Sequence, residues 1–316
     1  MDELLILYKQ NVLVLYNNCN ALINQIKRSN TMTRIKNVYI SNAIRNYNVS
    51  VASLKTKYMA DIVRIQQQQQ QQIKKRRALL IGINYYGTPY QLSGCITDTQ
   101  SLNDKFGSSY DVEIITDLTN KKPTRSVILS EFSALLESAN IGDTVLFAFS
   151  GHGSYTTDLN RDEIDGQDEM IISCDARSVI DDDFKTIIHQ KLKTGATLIA
   201  LFDSCHSGSI LDLKYSYPSY TVSVSSALDM MDTAGTVILI SGCLDDQTSA
   251  EASINGGKVA GAMTWSLLET LKQYPTGLMW NALLTNMRTL LNSSGFNQIP
   301  QLSSGRPLNT LSPILL

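Results

Sequence analysis

The sequence lacks several features that would assign it to a broad class of protein at once. Its formal net charge is only −2 over 316 residues, so it has no excess of positive charge to attract nucleic acids or anionic membranes. Its five cysteines are an odd number and show neither the CxxC spacing of a zinc site nor a disulfide framework. A reducing compartment is therefore expected, with neither nucleic acid nor membrane as a partner.

The N-terminus also lacks the signs of a secretory leader or a membrane span. It opens with Asp2 and Glu3, whereas a leader begins with positive charge, and Lys9 interrupts the apolar run. The run is too short to cross a bilayer. We therefore expect a soluble, intracellular, cytoplasmic protein.

Two helical patterns follow in the N-terminal part. Apolar residues recur at steps of three and four from Leu5 to Ile26 and again from Ile40 to Tyr58, which places each set on one face of a helix. Residues 1–65 are therefore predicted to form a helical extension. It either folds back as a hairpin or pairs with another chain through self-association.

A change of texture separates this extension from the rest of the chain. Residues 66–77 are glutamine-rich and then basic, with little to bury, and are predicted to form a linker. Residues 78–83 are an apolar run ending near Gly82, typical of a buried strand that leads into a loop. We expect a folded domain over residues 78–316.

Strands and helices alternate within that domain. This alternation predicts an α/β fold with a mostly parallel central sheet flanked by helices on both faces. A serine-rich segment, residues 215–232, is predicted to be a loop over the sheet edge. The further predicted strands are 112–116, 144–149, 197–202 and 236–241, and the predicted helices are 124–139, 182–192, 263–273 and 280–291.

Two motifs stand at the ends of predicted strands, where ligands of open parallel sheets bind. The first, Ser-Gly-His-Gly at residues 150–153, leaves His152 exposed between glycines. The second, Asp-Ser-Cys-His-Ser-Gly at residues 203–208, puts Cys205 at a strand end, whereas a structural cysteine usually lies among apolar neighbours.

A cysteine and a histidine on neighbouring strand ends form a nucleophile and its base. Cys205 and His152 are 53 positions apart, close to the spacing of about 50 in caspases. His206 points to the opposite face of an extended segment and is read as structural. His189, on a predicted helix, is read in the same way.

These motifs, together with residues 241–251 and the Gly-Ala-Met of residues 261–263, resemble those of the metacaspases from about Arg77 to Leu316. The resemblance implies the caspase-hemoglobinase fold and a cysteine endopeptidase. Cys205 would be the nucleophile and His152 the base and later the acid. The backbone N–H groups of Gly153 and Cys205 would face the oxyanion.

Acidic residues near the motifs suggest the specificity. Asp203 lies two positions before Cys205 and so on the same face of the strand, although it is also suited to cap a strand end or bind a loop. The resemblance adds Asp98 as a second carboxylate of the S1 pocket, with Cys95 and Ser150 as further lining. Two carboxylates favour lysine or arginine at P1.

An acid-rich run, residues 158–169, followed by aspartates at 181–183, suits calcium, although solvated loops are often acidic too. The run lacks the terminal glutamate of an EF-hand loop. The resemblance implies Ca²⁺ as a cofactor that orders loops at the active site. The implied ligands are Asp168, Asp181, Asp182 and Asp212.

The chain is short between Asp212 and Thr236, so it resembles the metacaspase branch that has an N-terminal extension, no long internal linker and a monomeric catalytic domain. The basic run is predicted to be cut by the enzyme itself in a calcium-stimulated step, which makes the chain a zymogen. The candidates in that run are Lys74, Lys75, Arg76 and Arg77; Lys214 and Lys258 are further candidates.

Two other functions remain open from the sequence. One is a catalytically idle caspase-like scaffold whose extension mediates assembly, since folds outlive their activities. The other is a caspase that cuts after aspartate, which would need a basic pocket in place of the acidic one.

Overall fold

The computed structural model describes residues 2–71, 76–157, 166–205, 207–218, 223–224, 233–242, 251–254, 258–275 and 277–316. The chain divides into two compact units, Met1–Ile73 and Lys74–Leu316. No helix of the described residues is both long and apolar enough to cross a membrane.

The first unit is a pair of helices, α1 (Asp2–Arg28) and α2 (Thr33–Gln71). Their predicted apolar faces meet, with the rings of Tyr8 and Tyr58 stacked at 4.7 Å between centroids. The predicted helical extension is therefore confirmed, as a hairpin. Two positions differ: Leu22 of α1 is 46% exposed, and on α2 Ile44 is 44% exposed while the neighbouring Ala43 is buried.

The predicted linker differs from the structure at both of its ends. Helix α2 continues through residues 66–71 because glutamine is a good helix former. At the other end Arg76 and Arg77 already belong to a strand. The remaining linker positions, residues 72–75, lie outside the described residues.

The described residues of the second unit form strands and helices with the following bounds. The strands are β1 (Arg76–Gly82), β2 (Asp111–Thr116), β3 (Thr144–Ser150), β4 (Gly153–Thr157), β5 (Gln167–Ile172), β6 (Ser178–Ile180), β7 (Thr197–Asp203), β8 (Tyr215–Ser216), β9 (Ser223–Val224), β10 (Thr236–Ser241), β11 (Glu251–Ile254), β12 (Lys258–Gly261) and β13 (Gln301–Ser304). The helices are α3 (Cys95–Phe106), α4 (Arg125–Ser138), α5 (Asp181–Lys191), α6 (Ala262–Gln273) and α7 (Trp280–Ser293).

Within the described residues, eight strands form the central sheet in the order β2-β1-β3-β7-β10-β13-β8-β9. The pairs from β2 to β10 are parallel, and the pairs from β10 to β9 are antiparallel. The predicted mostly parallel sheet is confirmed. The segment predicted as an edge loop, 215–232, instead contributes β8 and β9, so that prediction was wrong for these four residues.

Helices cover both faces of the sheet, as predicted. Alternate residues of β1 point to opposite sides: Leu79 and Ile81 belong to the core under α4 and α5, whereas Ala78 and Leu80 belong to the core under α3, α6 and α7. Strands that are buried on both faces read as continuous apolar runs. This is why the central strands were predictable from sequence.

Several elements were not predicted. Helix α3 is amphipathic but polar on its outer face, and the side chain of Asn84 caps its N-terminus by accepting from the N–H of Cys95 at 3.0 Å. The short strands β4, β5 and β6 form a separate antiparallel sheet beyond the end of β3. The β11–β12 hairpin leads directly into α6.

Candidate active site

The motifs that carry His152 and Cys205 stand side by side because of the register between β3 and β7. Ser150, the last residue of β3, is paired with Asp203, the last residue of β7. His152 and Cys205 each lie two residues beyond that pair. Both line one cavity of about 120 Å³, which also contains the four residues predicted for the S1 pocket: Cys95, Asp98, Ser150 and Asp203.

The imidazole of His152 is oriented by a backbone carbonyl. Its Nε2 lies 2.7 Å from the carbonyl oxygen of Tyr90. A carbonyl oxygen only accepts hydrogen bonds, so Nε2 carries the proton and Nδ1 of the neutral ring can accept one. The loop between β1 and α3 therefore fixes which nitrogen of His152 can accept a proton.

Gly153 begins β4 and packs tightly against the nucleophile loop. A Cβ at this position would collide with the carbonyl oxygen of Cys205. Only glycine permits so close an approach of the two backbones. The predicted position of Gly153 beside Cys205 therefore agrees with the packing, and its role toward an oxyanion is taken up below.

The two carboxylates predicted for the S1 pocket are both buried and meet at the start of α6. Asp98 accepts from the N–H of Gly261 at 2.9 Å, and Asp203 accepts from the N–H of Thr264 at 2.8 Å. A Cβ on Gly261 would collide with carboxylate oxygens of both aspartates. The two carboxyl groups therefore converge on one point of the cavity wall.

Sequence reasoning gave no role to several contributors to this site. Gly261 belongs to a motif that had been noted without a role, and only the fold shows that its missing side chain leaves room for two carboxylates. Tyr90 contributes a backbone atom, so its side-chain identity carried no signal. Leu92 and Gly94 also line the cavity.

Comparison with known proteins identifies the family. The family model of the caspase domain matches residues 75–311. Metacaspase-1 of Meyerozyma guilliermondii is 37% identical over 288 residues, which cover 73% of this chain and 70% of that protein. Metacaspase-1 of Ajellomyces capsulatus is 37% identical over 290 residues, which cover 74% of this chain and 81% of that protein. The chain belongs to the metacaspase family.

The fold is similar to that of a solved structure as well. A protein from Geobacter sulfurreducens superposes with a TM-score of 0.58 at 22% identity, covering 76% of this chain and 97% of that chain. Because the caspase-domain model and the metacaspase relatives match this chain, the metacaspase is a caspase-like cysteine endopeptidase, and its substrates are proteins or peptides.

Apart from the active-site cavity, this metacaspase contains a cluster of buried acidic residues. Carboxylate oxygens of Glu169, Asp181 and Asp212 lie within 4.8 Å of one another, and all three residues are buried. Burial and the nearby charge of Asp212 raise the pKa of Asp181 to about 8. Three hard oxygen donors whose negative charges repel one another form a set that fits a divalent cation such as Ca²⁺.

The sequence had predicted Asp168, Asp181, Asp182 and Asp212 as calcium ligands. The structure brings Asp181 and Asp212 together and adds Glu169, which the sequence did not single out. Asp168 is buried on β5, and its charge also raises the pKa of Asp181. Asp182 lies outside this cluster and donates its backbone N–H to Asp181 at 2.7 Å.

Two basic residues, Arg125 and Lys185, bind carboxylates in or near this cluster. Arg125 donates two hydrogen bonds to the carboxylate of Asp183, at 2.7 and 2.8 Å, and Asp183 is not a member of the cluster. The Nζ of Lys185, itself buried, lies 3.5 Å from Oδ2 of Asp212. The cluster therefore already contains one positive charge from the chain itself.

The predicted self-cleavage positions fall into different environments. Arg77 is paired with both β2 and β3, and Arg76 is paired with β3, so their peptide bonds are not presented as an exposed linker. Lys214 precedes β8 directly, and Lys258 begins β12. Lys74 and Lys75 lie outside the described residues. So do His206, residues 158–165 of the acid-rich run and residues 243–250 of the motif at residues 241–251.

Proposed function

We propose that this metacaspase cleaves peptide bonds after arginine or lysine, with Cys205 as nucleophile and His152 as its base, and that calcium switches the activity on. The observation that carries the proposal is the pairing of Ser150 with Asp203. This register sets His152 and Cys205 at equal distances along the chain beyond two adjacent strand ends, in one cavity with two carboxylates.

The chemistry follows from the two side chains. Nδ1 of His152 takes the thiol proton, and the sulfur of Cys205 attacks the scissile carbonyl carbon to form a tetrahedral oxyanion. The backbone N–H groups of Gly153 and Cys205 stabilise that oxyanion. The imidazolium then protonates the leaving amine, and a thioester remains. Water, deprotonated by His152, hydrolyses the thioester and regenerates the thiol.

The preference for a basic P1 residue rests on charge and burial. Asp98 and Asp203 are almost completely buried at the cavity wall. A guanidinium or ammonium that enters the cavity gains charge-assisted hydrogen bonds in a medium of low dielectric constant. An aspartate side chain would meet two like charges there. Cys95 and Ser150 complete the lining of this pocket.

Calcium is supported by the acidic cluster and by its connection to the active site. Glu169 lies on β5, which pairs with β4 at Ile171 and Gly153, and Asp212 lies seven residues after Cys205. Asp168, next to Glu169 on β5, and Asp182, next to Asp181 at the start of α5, are further candidate ligands. These carboxylates would hold Ca²⁺, and its charge would neutralise theirs. Joining β5 to the segment after Cys205 would order both walls of the active site.

Self-removal of the extension is proposed to occur after Lys74 or Lys75. Both precede β1 and carry the side chain that the acidic pocket accepts. Cleavage after Arg76 or Arg77 would first require β1 to leave the sheet. Mass spectrometry of the calcium-treated, active enzyme should find a new N-terminus at Lys75 or Arg76. An intact N-terminus in active enzyme would exclude self-removal.

The test of the function uses two fluorogenic peptides that differ only at P1, one with arginine and one with aspartate. They are assayed in calcium and in a chelator, with Cys205→Ala as the control. We expect cleavage of the arginine peptide by the unaltered enzyme in calcium alone. Cleavage of the aspartate peptide would indicate an aspartate-specific caspase. Cleavage of neither would indicate a scaffold.

A further inference from the structure

A tyrosine next to the active site makes contacts with His152 that the proposed chemistry does not use. Tyr85 lies in the loop after β1 and is 8% exposed. Its hydroxyl accepts a hydrogen bond from the backbone N–H of His152 at 2.9 Å and donates one to the carbonyl oxygen of Ile172 at 2.7 Å. Its ring centroid lies 4.6 Å from that of the imidazole.

The hydroxyl of Tyr85 takes the place of a missing hydrogen bond between two strands. Ile172 already donates its N–H to the carbonyl of His152 at 3.0 Å, as expected at the start of the β4–β5 pairing. The reciprocal bond, from the N–H of His152 to the carbonyl of Ile172, passes through the tyrosine hydroxyl. Both backbone polar groups of His152 are therefore tied to Ile172, one of them through Tyr85.

Tyr85 has an unfavourable backbone conformation, which several hydrogen bonds hold in place. Its φ of 52° lies in the left-handed region, which is unfavourable for a bulky residue. Oδ2 of Asp117 accepts from the N–H groups of both flanking residues, Asn84 at 3.1 Å and Tyr86 at 3.4 Å. Thr88 binds the carbonyl of Tyr85 at 2.8 Å. A strained conformation with several restraints indicates a position set by function.

The neighbouring backbone leaves no slack at this contact. A Cβ added to Gly151 would lie 2.8 Å from the hydroxyl of Tyr85 and 2.7 Å from the ring of Phe149. The loop between β1 and α3, which contains Tyr85, also presents the carbonyl of Tyr90 to Nε2 of His152. Burial raises the pKa of Tyr85, so the hydroxyl keeps its proton and can donate and accept at any working pH.

We infer that Tyr85 is a positioning residue for catalysis: its hydroxyl fixes the backbone of His152 and its ring fixes the plane of the imidazole, so that Nδ1 faces the sulfur of Cys205. This inference rests on the proposed pairing of His152 with Cys205. It extends the orientation provided by Tyr90 from one ring nitrogen to the whole residue. Precise placement of a base relative to its nucleophile has a large effect on rate.

The test is Tyr85→Phe, which removes only the hydroxyl. The matched control is Tyr110→Phe, since Tyr110 is equally buried but lies at the far end of α3, against Phe106. We expect Tyr85→Phe to lower kcat roughly tenfold with KM within about twofold. The alkylation rate of Cys205 by iodoacetamide should fall by a similar factor. Tyr110→Phe should leave all three quantities unchanged.

A second measurement needs no variant and so does not depend on how well Tyr85→Phe folds. Hydrogen exchange of the unaltered chain should show the amide of His152 protected like those of β3, because a buried hydroxyl binds it. Rapid exchange there, or a kcat for Tyr85→Phe equal to that of Tyr110→Phe, would overturn the inference. The pairing itself has a separate control: if His152→Ala were as active as the unaltered enzyme, the proposed function would fail first.

Discussion

The hydroxyl of Ser150 donates a hydrogen bond of 2.6 Å to the carboxylate of Asp98. This bond joins the end of β3, which leads to His152, to the first turn of α3, which carries Asp98. The same carboxylate accepts from Gly261 at the start of α6. One buried aspartate thus connects β3 with two helices beside the cavity that contains His152 and Cys205.

Asp98→Asn tests the electrostatic part of this connection. Asparagine keeps an oxygen to accept from Gly261 but removes the charge. We expect kcat/KM for the arginine peptide to fall about 100-fold, because a buried charge pair with the substrate is lost. Asp104→Asn, on the exposed side of the same helix, is the control. Equal values of kcat/KM for the two variants would show that Asp98 does not read P1.

Glu169→Gln tests the acidic cluster. In the unaltered protein we expect calcium to raise the melting temperature by about 5 °C, since a ligand that binds only the folded state stabilises it. Glu169→Gln should lose most of that rise. Glu137→Gln, at an exposed position on α4, should keep it. A full rise in Glu169→Gln would place the cation elsewhere.

The acidic cluster also predicts a pH dependence of stability. Burial and Asp212 raise the pKa of Asp181 from 3.8 to about 8, so between these values the folded state holds a proton that the unfolded state has lost. Stability from this group is therefore present at low pH and is lost as pH rises through about 8. Without calcium, the melting temperature should fall over this range.

Asp181→Asn provides the comparison for that pH series. The variant cannot titrate at this position. Between about pH 5 and about pH 8 its melting temperature should therefore depend less on pH than that of the unaltered chain. Parallel curves for the two proteins would contradict a raised pKa at Asp181.

Lys185→Met tests whether the chain competes with the cation. Lys185 places a buried ammonium 3.5 Å from Asp212, so its removal should leave the cluster more negative. We expect the calcium-free protein to be less stable and the calcium dissociation constant to fall about tenfold. Lys185→Arg keeps the charge and should behave like the unaltered chain. A weaker or unchanged affinity in Lys185→Met would show that Lys185 does not oppose binding.

The central sheet and the positions of Cys205 and His152 just beyond strand ends could be predicted because both depend on local sequence. Buried parallel strands are continuous apolar runs, and glycine-flanked polar residues directly after them mark the strand ends. Helix α3 was not predictable in this way. Its start is set by the side chain of Asn84, eleven residues earlier in the chain than Cys95, which the helix period does not reveal.

The acidic cluster shows where sequence reasoning ends. Asp168 and Glu169 are adjacent on β5, and neighbouring strand residues point to opposite faces. Sequence alone does not say which of them faces Asp181. In the fold, hydrogen bonds with distant residues settle the arrangement. The N–H of Glu169 donates to Asp181, and Arg125 binds Asp183. Contacts between distant segments carry that information.

The most direct test of the account is labelling with an arginyl chloromethyl ketone followed by peptide mapping. The thiolate of the proposed nucleophile should displace chloride fastest when the arginine side chain is held in the acidic pocket. We predict an adduct on Cys205 in calcium, absent in a chelator, and at least about tenfold slower with the aspartyl analogue. An adduct on another cysteine, or equal labelling of Cys205 by both reagents, would contradict the account.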